Sequence, residues 1–244
     1  MTEQLRSELR KLRTTRTVPV LLLVAVALAL LGAFAEGLSP TLGELAKEDQ
    51  QRLLIGGAAT NAALLAVFVG LLAVTGEFRY GTIRVTLLFE PRRRLVLVAK
   101  LAAAALAGIV FAVVCVAVAF GAGLSILAAR DVGVALTRTH TLVLVFGPVA
   151  TSALSAMLGV TVGALIRNQV GAIVALSVYS LAVDALLFAT VPSLGRYLPG
   201  QAGNALSGLP DAELLSPGLG AAVAVAWTLV FIAMATLRMD RSDI

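Results

Sequence analysis

Residues 76–94 read Gly-Glu-Phe-Arg-Tyr-Gly-Thr-Ile-Arg-Val-Thr-Leu-Leu-Phe-Glu-Pro-Arg-Arg-Arg. The first half alternates charge with aromatic and small residues: Glu77, Phe78, Arg79, Tyr80, Gly81, Thr82, Ile83 and Arg84. Glu77, Arg79 and Arg84 supply directional bonding groups, and Phe78, Tyr80 and Ile83 supply apolar anchors. That mixture suits a protein-docking surface. Pro91 then breaks the chain, and Arg92-Arg93-Arg94 suits anionic headgroups. A loop that only oriented the chain would need the arginines and not the aromatic–acidic half.

Other chemistry is thin. No G-x-x-x-x-G-K-[ST] motif exists, since none of Lys11, Lys47 and Lys100 follows a glycine. The chain therefore cannot cradle nucleotide phosphates in the usual way. One histidine and one cysteine (Cys115, inside an apolar run) exclude a disulfide within the chain and leave no metal site of the familiar kinds. Ser125 and His140 invite comparison with a serine protease pair. Ser125, however, reads as a helix-end hydroxyl and His140 as an interfacial residue, so no catalytic residue is expected. Asp184 is the acidic residue placed well inside an apolar run, where a charge is costly. It is either a pathway or gating group, or a structural carboxylate bonded to a hydroxyl or loop backbone, with Arg196 or Tyr197 as its nearest partners. Asn61, with Thr60, either lines a path or makes a helix–helix hydrogen bond. Tyr197 joins Asn61 and Asp184 as a candidate pathway or gate residue. Gly159 and Gly163 form a G-x-x-x-G match, which suits close helix packing.

The elements that must position these residues are apolar helices. The chain has 244 residues, 59% of them hydrophobic and 14% charged, with a mean hydropathy of +0.96. That is far beyond a soluble domain. Unbroken runs without strict alternation favour helices over a barrel. We expect an all-α polytopic membrane protein, one transmembrane domain over 1–244. Six spans are predicted near 18–38, 53–75, 95–127, 141–166, 170–191 and 219–237. The third could reach about 50 Å against a hydrocarbon core of about 30 Å, so it should project or bend near Gly121-Ala122-Gly123. Pro148 should kink the fourth unless it falls in the first turn.

Of the 19 Lys and Arg, only Lys47, Arg52, Arg130, Arg138 and Arg196 fall on the side opposite the termini. Both termini are therefore expected in the cytoplasm, and the basic excess reflects orientation and not nucleic acid. Ala33-Phe34-Ala35 resembles a cleavage site, but the basic stretch before it and the apolar run exceed a usual signal peptide, so an uncleaved first helix is expected. Residues 1–17 form an amphipathic helix: Leu5, Leu9 and Leu12 make a stripe beside Arg6, Arg10 and Arg13. Residues 192–217 carry four prolines among many leucines. A short re-entrant or interfacial segment before the last span follows. There is no inverted repeat.

Taken in order, Ser7–Arg13, Gly76–Arg84, Pro91–Arg94 with Ala99-Lys100-Leu101, and Gly195–Gly200 resemble the permease subunits of type-2 ABC exporters, in the compact bacterial, actinobacterial-like form. The first resembles that family's elbow helix and the second its coupling-helix signature. The resemblance implies a bacterial cytoplasmic-membrane permease that exports a hydrophobic or amphipathic substrate. It implies a second permease copy or paralogue and a dimer of cytoplasmic ABC ATPase subunits docked on the 76–90 loop. Glu77, Phe78, Arg79, Tyr80, Gly81, Thr82, Ile83 and Arg84 would carry the coupling. ATP and Mg would be bound by the ATPase, with no cofactor in this chain. The alternatives are a permease-like scaffold or sensor, or an intramembrane enzyme.

Overall fold

The computed structural model describes residues 2–38, 41–90 and 92–240, without the side chains of Arg84, Leu87 and Asp240. Pro91 and Arg241 lie outside the described residues. No strand occurs among the described residues. α1 is Thr2–Thr14, α2 Thr17–Leu38 and α3 Leu42–Leu45. α4 is Glu48–Arg79, α5 Thr82–Phe89, α6 Arg93–Ala129 and α7 Arg138–Ile166. α8 is Gln169–Thr190, α9 Pro192–Gly195, α10 Pro199–Leu206 and α11 Pro217–Asp240. Six helices (α2, α4, α6, α7, α8 and α11) are long and apolar enough to cross a membrane.

On the first span small residues face inward and large ones outward. On α2, Ala25, Ala29, Ala33 and Gly37 are buried at a spacing of four, while Leu23, Leu31 and Phe34 are exposed. Lipid solvates leucine as well as a core does, so the packed face is the one that lets backbones approach. α7 lies at the centre, against α4, α6, α10 and α11. Its Gly159 meets the backbone of α4 so closely that a Cβ would overlap the Val67 carbonyl, and a Cβ at Gly70 would overlap the Ala156 carbonyl. The G-x-x-x-G face is thus spent on packing within the chain.

α6 runs unbroken for 37 residues, about 55 Å at about 1.5 Å per residue. It does not break at Gly121 or Gly123. Its start lies at the end that carries both termini. There Arg93 Nη1 donates to the Met239 carbonyl at 2.8 Å and Arg167 Nη2 to the Arg238 carbonyl at 3.4 Å. Pro148 lies in the interior of α7, well past its first turn.

At the opposite end the connections are tied to helix ends. Arg130 Nη1 donates to the Gly37 carbonyl at 2.7 Å and Arg52 Nη2 to the Gly208 carbonyl at 2.7 Å. The proline-rich stretch forms α9 and α10. α10 packs between α7 and α11, and Thr151 Oγ1 donates to the Gly203 carbonyl at 3.1 Å. Its buried face is Ala202, Gly203 and Ala205.

Candidate functional site

α4 outlasts its apolar run and stays helical to Arg79. Tyr80 closes it and Gly81, at φ +70°, reverses the chain into α5. A left-handed residue costs glycine nothing, which is why the turn can be this tight. The hairpin therefore begins a turn later than residue 76, with a consequence for Glu77. Still on the helix, it faces inward with Val74 and is only 8% exposed. Its carboxylate is not offered to a partner. Phe78 packs into the core near Val74 and Leu97, under the Arg167 guanidinium at 5.4 Å. Ile83 is buried.

The exposed part of the hairpin is different. Tyr80 is 74% exposed, Leu88 82% and Phe89 87%. Gly81 and Thr82 are exposed as well. Arg79 donates to Gln169 Oε1 at 3.2 Å and lies 5.6 Å from the Tyr80 ring. After α5, Arg92 bonds the Glu90 carboxylate at 2.9 Å and holds it below the usual carboxylate range. Of the expected docking residues, the structure presents Arg79, Tyr80, Gly81 and Thr82 and withdraws Glu77, Phe78 and Ile83. Leu88 and Phe89, not singled out from sequence, are the most exposed apolar side chains among the described residues of the hairpin.

Glu77 is instead part of a four-residue charge cluster. Its Oε1 lies 2.7 Å from Lys11 Nζ and 2.7 Å from Lys100 Nζ. Glu8 Oε1 lies 2.7 Å from Lys11 and Oε2 2.8 Å from Lys100. Two carboxylates and two ammonium groups balance, which lets Glu8, Glu77 and Lys100 be buried while Lys11 stays half-exposed. Burial works against the Lys11 ammonium, but its bonds to Glu77 and Glu8 outweigh that and raise its pKa above the ordinary lysine value. The cluster ties α1 to both the base of the hairpin and the start of α6. In α1 the leucine stripe (Leu5, Leu9 and Leu12) is half-buried and Arg6, Arg10 and Arg13 are exposed. The deepest residue is Glu8.

Among the spans lies a cavity of about 530 Å³ bounded by α4, α7, α8, α10 and α11. Asn61, Ser155, Tyr179, Asp184, Gln201 and Asn204 give it polar groups, and Trp227 and Phe231 close one side. Both expected pathway residues of the spans, Asn61 and Asp184, are in its wall. Asn61 Nδ2 also donates to the Leu28 carbonyl of α2 at 3.4 Å. Each follows a π-helical turn, Leu53–Gly57 before Asn61 and Tyr179–Val183 before Asp184. Such a turn shifts the side-chain register of a helix and recurs at functional sites.

Asp184 does not pair with Arg196 or Tyr197. Arg196 stacks 5.2 Å from the Tyr197 ring, and the Asp184 carboxylate packs against Gly200 at the start of α10. The proline at the first position of α10 leads the chain there. Tyr197 does not line the cavity either. Its carbonyl accepts from Trp227 Nε1 at 2.8 Å and holds that ring in the wall.

Ser125 and His140 are not brought together. Ser125 Oγ donates to the Gly121 carbonyl at 2.7 Å, and His140 Nδ1 lies 2.7 Å from Glu48 Oε1 and 3.0 Å from Thr137 Oγ1. No group of metal-binding residues occurs among the described residues.

Comparison with curated proteins gives no match. The family model described as ABC-2 family transporter protein matches residues 4–183. The match takes in α1, the charge cluster, the hairpin and the first four spans, and it ends one residue before Asp184. With six membrane-length helices behind it, the chain belongs to the ABC-2 family of transporter proteins, as a membrane-spanning permease component.

Proposed function

We propose that the chain is the permease subunit of an ATP-driven exporter in a bacterial cytoplasmic membrane, with both termini in the cytoplasm. It pairs with a second permease, a copy or a paralogue, and with a dimer of cytoplasmic ABC ATPase subunits that bind ATP and Mg. The chain has no phosphate-binding loop of its own, so the energy must enter by contact. The observation that carries this reading is the hairpin: Tyr80, Leu88 and Phe89 stand exposed on a turn and helix outside the spans, at the end where both termini lie. Exposed aromatic and aliphatic anchors of this kind are what a partner's cleft buries.

The charge cluster gives the contact a route inward. A push on α5 meets Gly81 and then the end of α4, where Glu77 is held to Lys11 and Lys100. α1, α4 and α6 then move as a unit. Glu77 acts here by holding the hairpin's base and not by touching the ATPase, whereas Arg79, Tyr80 and Thr82 remain on the contacting side. The cavity supports a hydrophobic or amphipathic substrate, since most of its wall is apolar.

The test is co-purification. The chain is co-expressed with a cytoplasmic ABC ATPase subunit of the same organism and isolated in nanodiscs, native or as Leu88→Asp/Phe89→Asp. Loss of ATPase from the variant, with the spans inserted and the chain monodisperse, is expected. A native chain that retains no ATPase, or a variant that retains it fully, would overturn the reading.

A further inference from the structure

We infer that the cavity among α4, α7, α8, α10 and α11 takes an amphipathic cation, its positive centre lodged against the Asp184 carboxylate. This rests on the permease reading above and names the class of substrate.

Asp184 is 4% exposed, and its Oδ1 is buried without a hydrogen-bond partner. Its Oδ2 packs against Gly200 so tightly that no Cβ would fit there. The Gly200 backbone and the Gln201 side chain, at the start of α10, hydrogen-bond the carboxyl. One face of the carboxyl is thus held by the protein and the other is left open. A buried charge left half-satisfied is costly within a membrane. The Tyr179 hydroxyl in the same wall is also buried and unpartnered.

The rest of the wall says which ligand would relieve this. Among the described residues no Lys, Arg or His lines the cavity, so nothing there answers a phosphate or carboxylate, and Asp184 repels one. Trp227 and Phe231 lie with ring centroids 6.0 Å apart, tilted by 44°. Aromatic faces attract cations as well as apolar bodies. Leu64, Leu158 and Leu176 complete the apolar side. At about 530 Å³ the space falls within the usual range for drug-sized ligands, about 300–1,000 Å³. The chemistry selected is one positive charge buried in an apolar shell, and it disfavours anionic lipids and phosphate-linked polymers.

The experiment uses the full chain in nanodiscs and two probes of matched shape and opposite charge, tetraphenylphosphonium and tetraphenylborate. Trp227 is the only tryptophan and lines the cavity, so its emission reads occupancy, with equilibrium dialysis as the second readout. Saturable tetraphenylphosphonium binding near one per chain is expected, with a change in Trp227 emission, and no comparable saturable uptake of tetraphenylborate. Asp184→Asn keeps the shape and removes the charge, and should weaken the cation by at least ~10-fold, or about 1.4 kcal/mol. Equal binding of both probes, no saturable binding of the cation, or an unchanged affinity in Asp184→Asn would overturn the inference. If Asp184→Asn does not fold, the two-probe comparison on the native chain decides alone. ATPase co-purification is read in parallel on the native chain. A complex that forms without cation binding sinks this inference and spares the permease reading. Cation binding without a complex does the reverse.

Discussion

Lys100 Nζ lies 2.8 Å from Glu8 Oε2, with side chains 3% and 4% exposed, and joins two helices whose residues are 92 positions apart in the chain. Lys100 also reaches Glu77 Oε1 at 2.7 Å, while Lys11 bridges the same two acids from a half-exposed position. The amphipathic helix is therefore fastened to the bundle by charge as well as by its leucine stripe, and at the place where the hairpin begins.

Lys100→Met should destabilise the chain by about 3–5 kcal/mol, because it leaves two buried acids facing one ammonium. Lys11→Met should cost less, since solvent reaches that side chain. Glu8→Gln/Lys100→Met leaves Lys11 with Glu77 as a balanced pair, and should recover a large part of the loss. Thermal unfolding in detergent checks the series. A double variant less stable than Lys100→Met would show that charge balance is not what holds the cluster.

Gln51 is fully buried near the opposite end. Its Nε2 donates to the Leu45 carbonyl at 3.1 Å and the Gly133 carbonyl at 2.9 Å, and its Oε1 accepts from the Ala135 amide at 2.8 Å. One side chain thus stitches α3 and the loop before α7 to the start of α4. Gln51→Leu should cost about 1–3 kcal/mol for each backbone group that water cannot reach afterwards. Hydrogen exchange at the Ala135 amide should rise while exchange in the middle of α7 stays slow. Unchanged protection at Ala135 would mean that the loop holds without the amide.

Trp227→Phe keeps an aromatic face in the cavity but removes the donor to the Tyr197 carbonyl. A net loss of about 0.5–1.5 kcal/mol is expected, the ordinary worth of one such bond. Faster proteolysis between α9 and α10 would accompany it, since that carbonyl anchors the connection. Equal cutting of native chain and variant would contradict this anchoring.

The spans were legible because burial in lipid demands long apolar runs, whereas the prolines and leucines of 192–217 marked a broken segment without showing the two short helices α9 and α10 in it. The face of each span was partly legible too, as the small residues Ala25, Ala29 and Ala33 recur at a helical spacing. What escaped depends on rotation and on distance along the chain. Glu77 reads as part of a loop because the apolar run ends at Thr75, yet backbone hydrogen bonding carries α4 to Arg79 and turns Glu77 inward. No local signal marks Glu8 against Glu3, or links it to Lys100. Asp184 was legible as a costly charge, but its neighbour was not. Arg196 is the nearer cation in sequence, and only the course of the chain through α9 brings Gly200 to it.

Two glycines of α4 and α7 separate packing from propensity. At Gly159 a Cβ would overlap the Val67 carbonyl, and backbone on both sides leaves nothing to give way. At Gly76, still within α4, no atom stands within reach of a Cβ. Alanine is the better helix former by about 1 kcal/mol where nothing obstructs it. Gly76→Ala should therefore be neutral or stabilising, by up to about 1 kcal/mol. Gly159→Ala should cost about 1–3 kcal/mol, because α4 and α7 must separate along the most closely packed contact of the bundle. The two variants make the same chemical change in neighbouring helices, so an opposite sign in their melting shifts isolates the close approach. Equal shifts would mean that α4 and α7 are held farther apart in the membrane, and that the inward small-residue faces do not set the packing of the bundle.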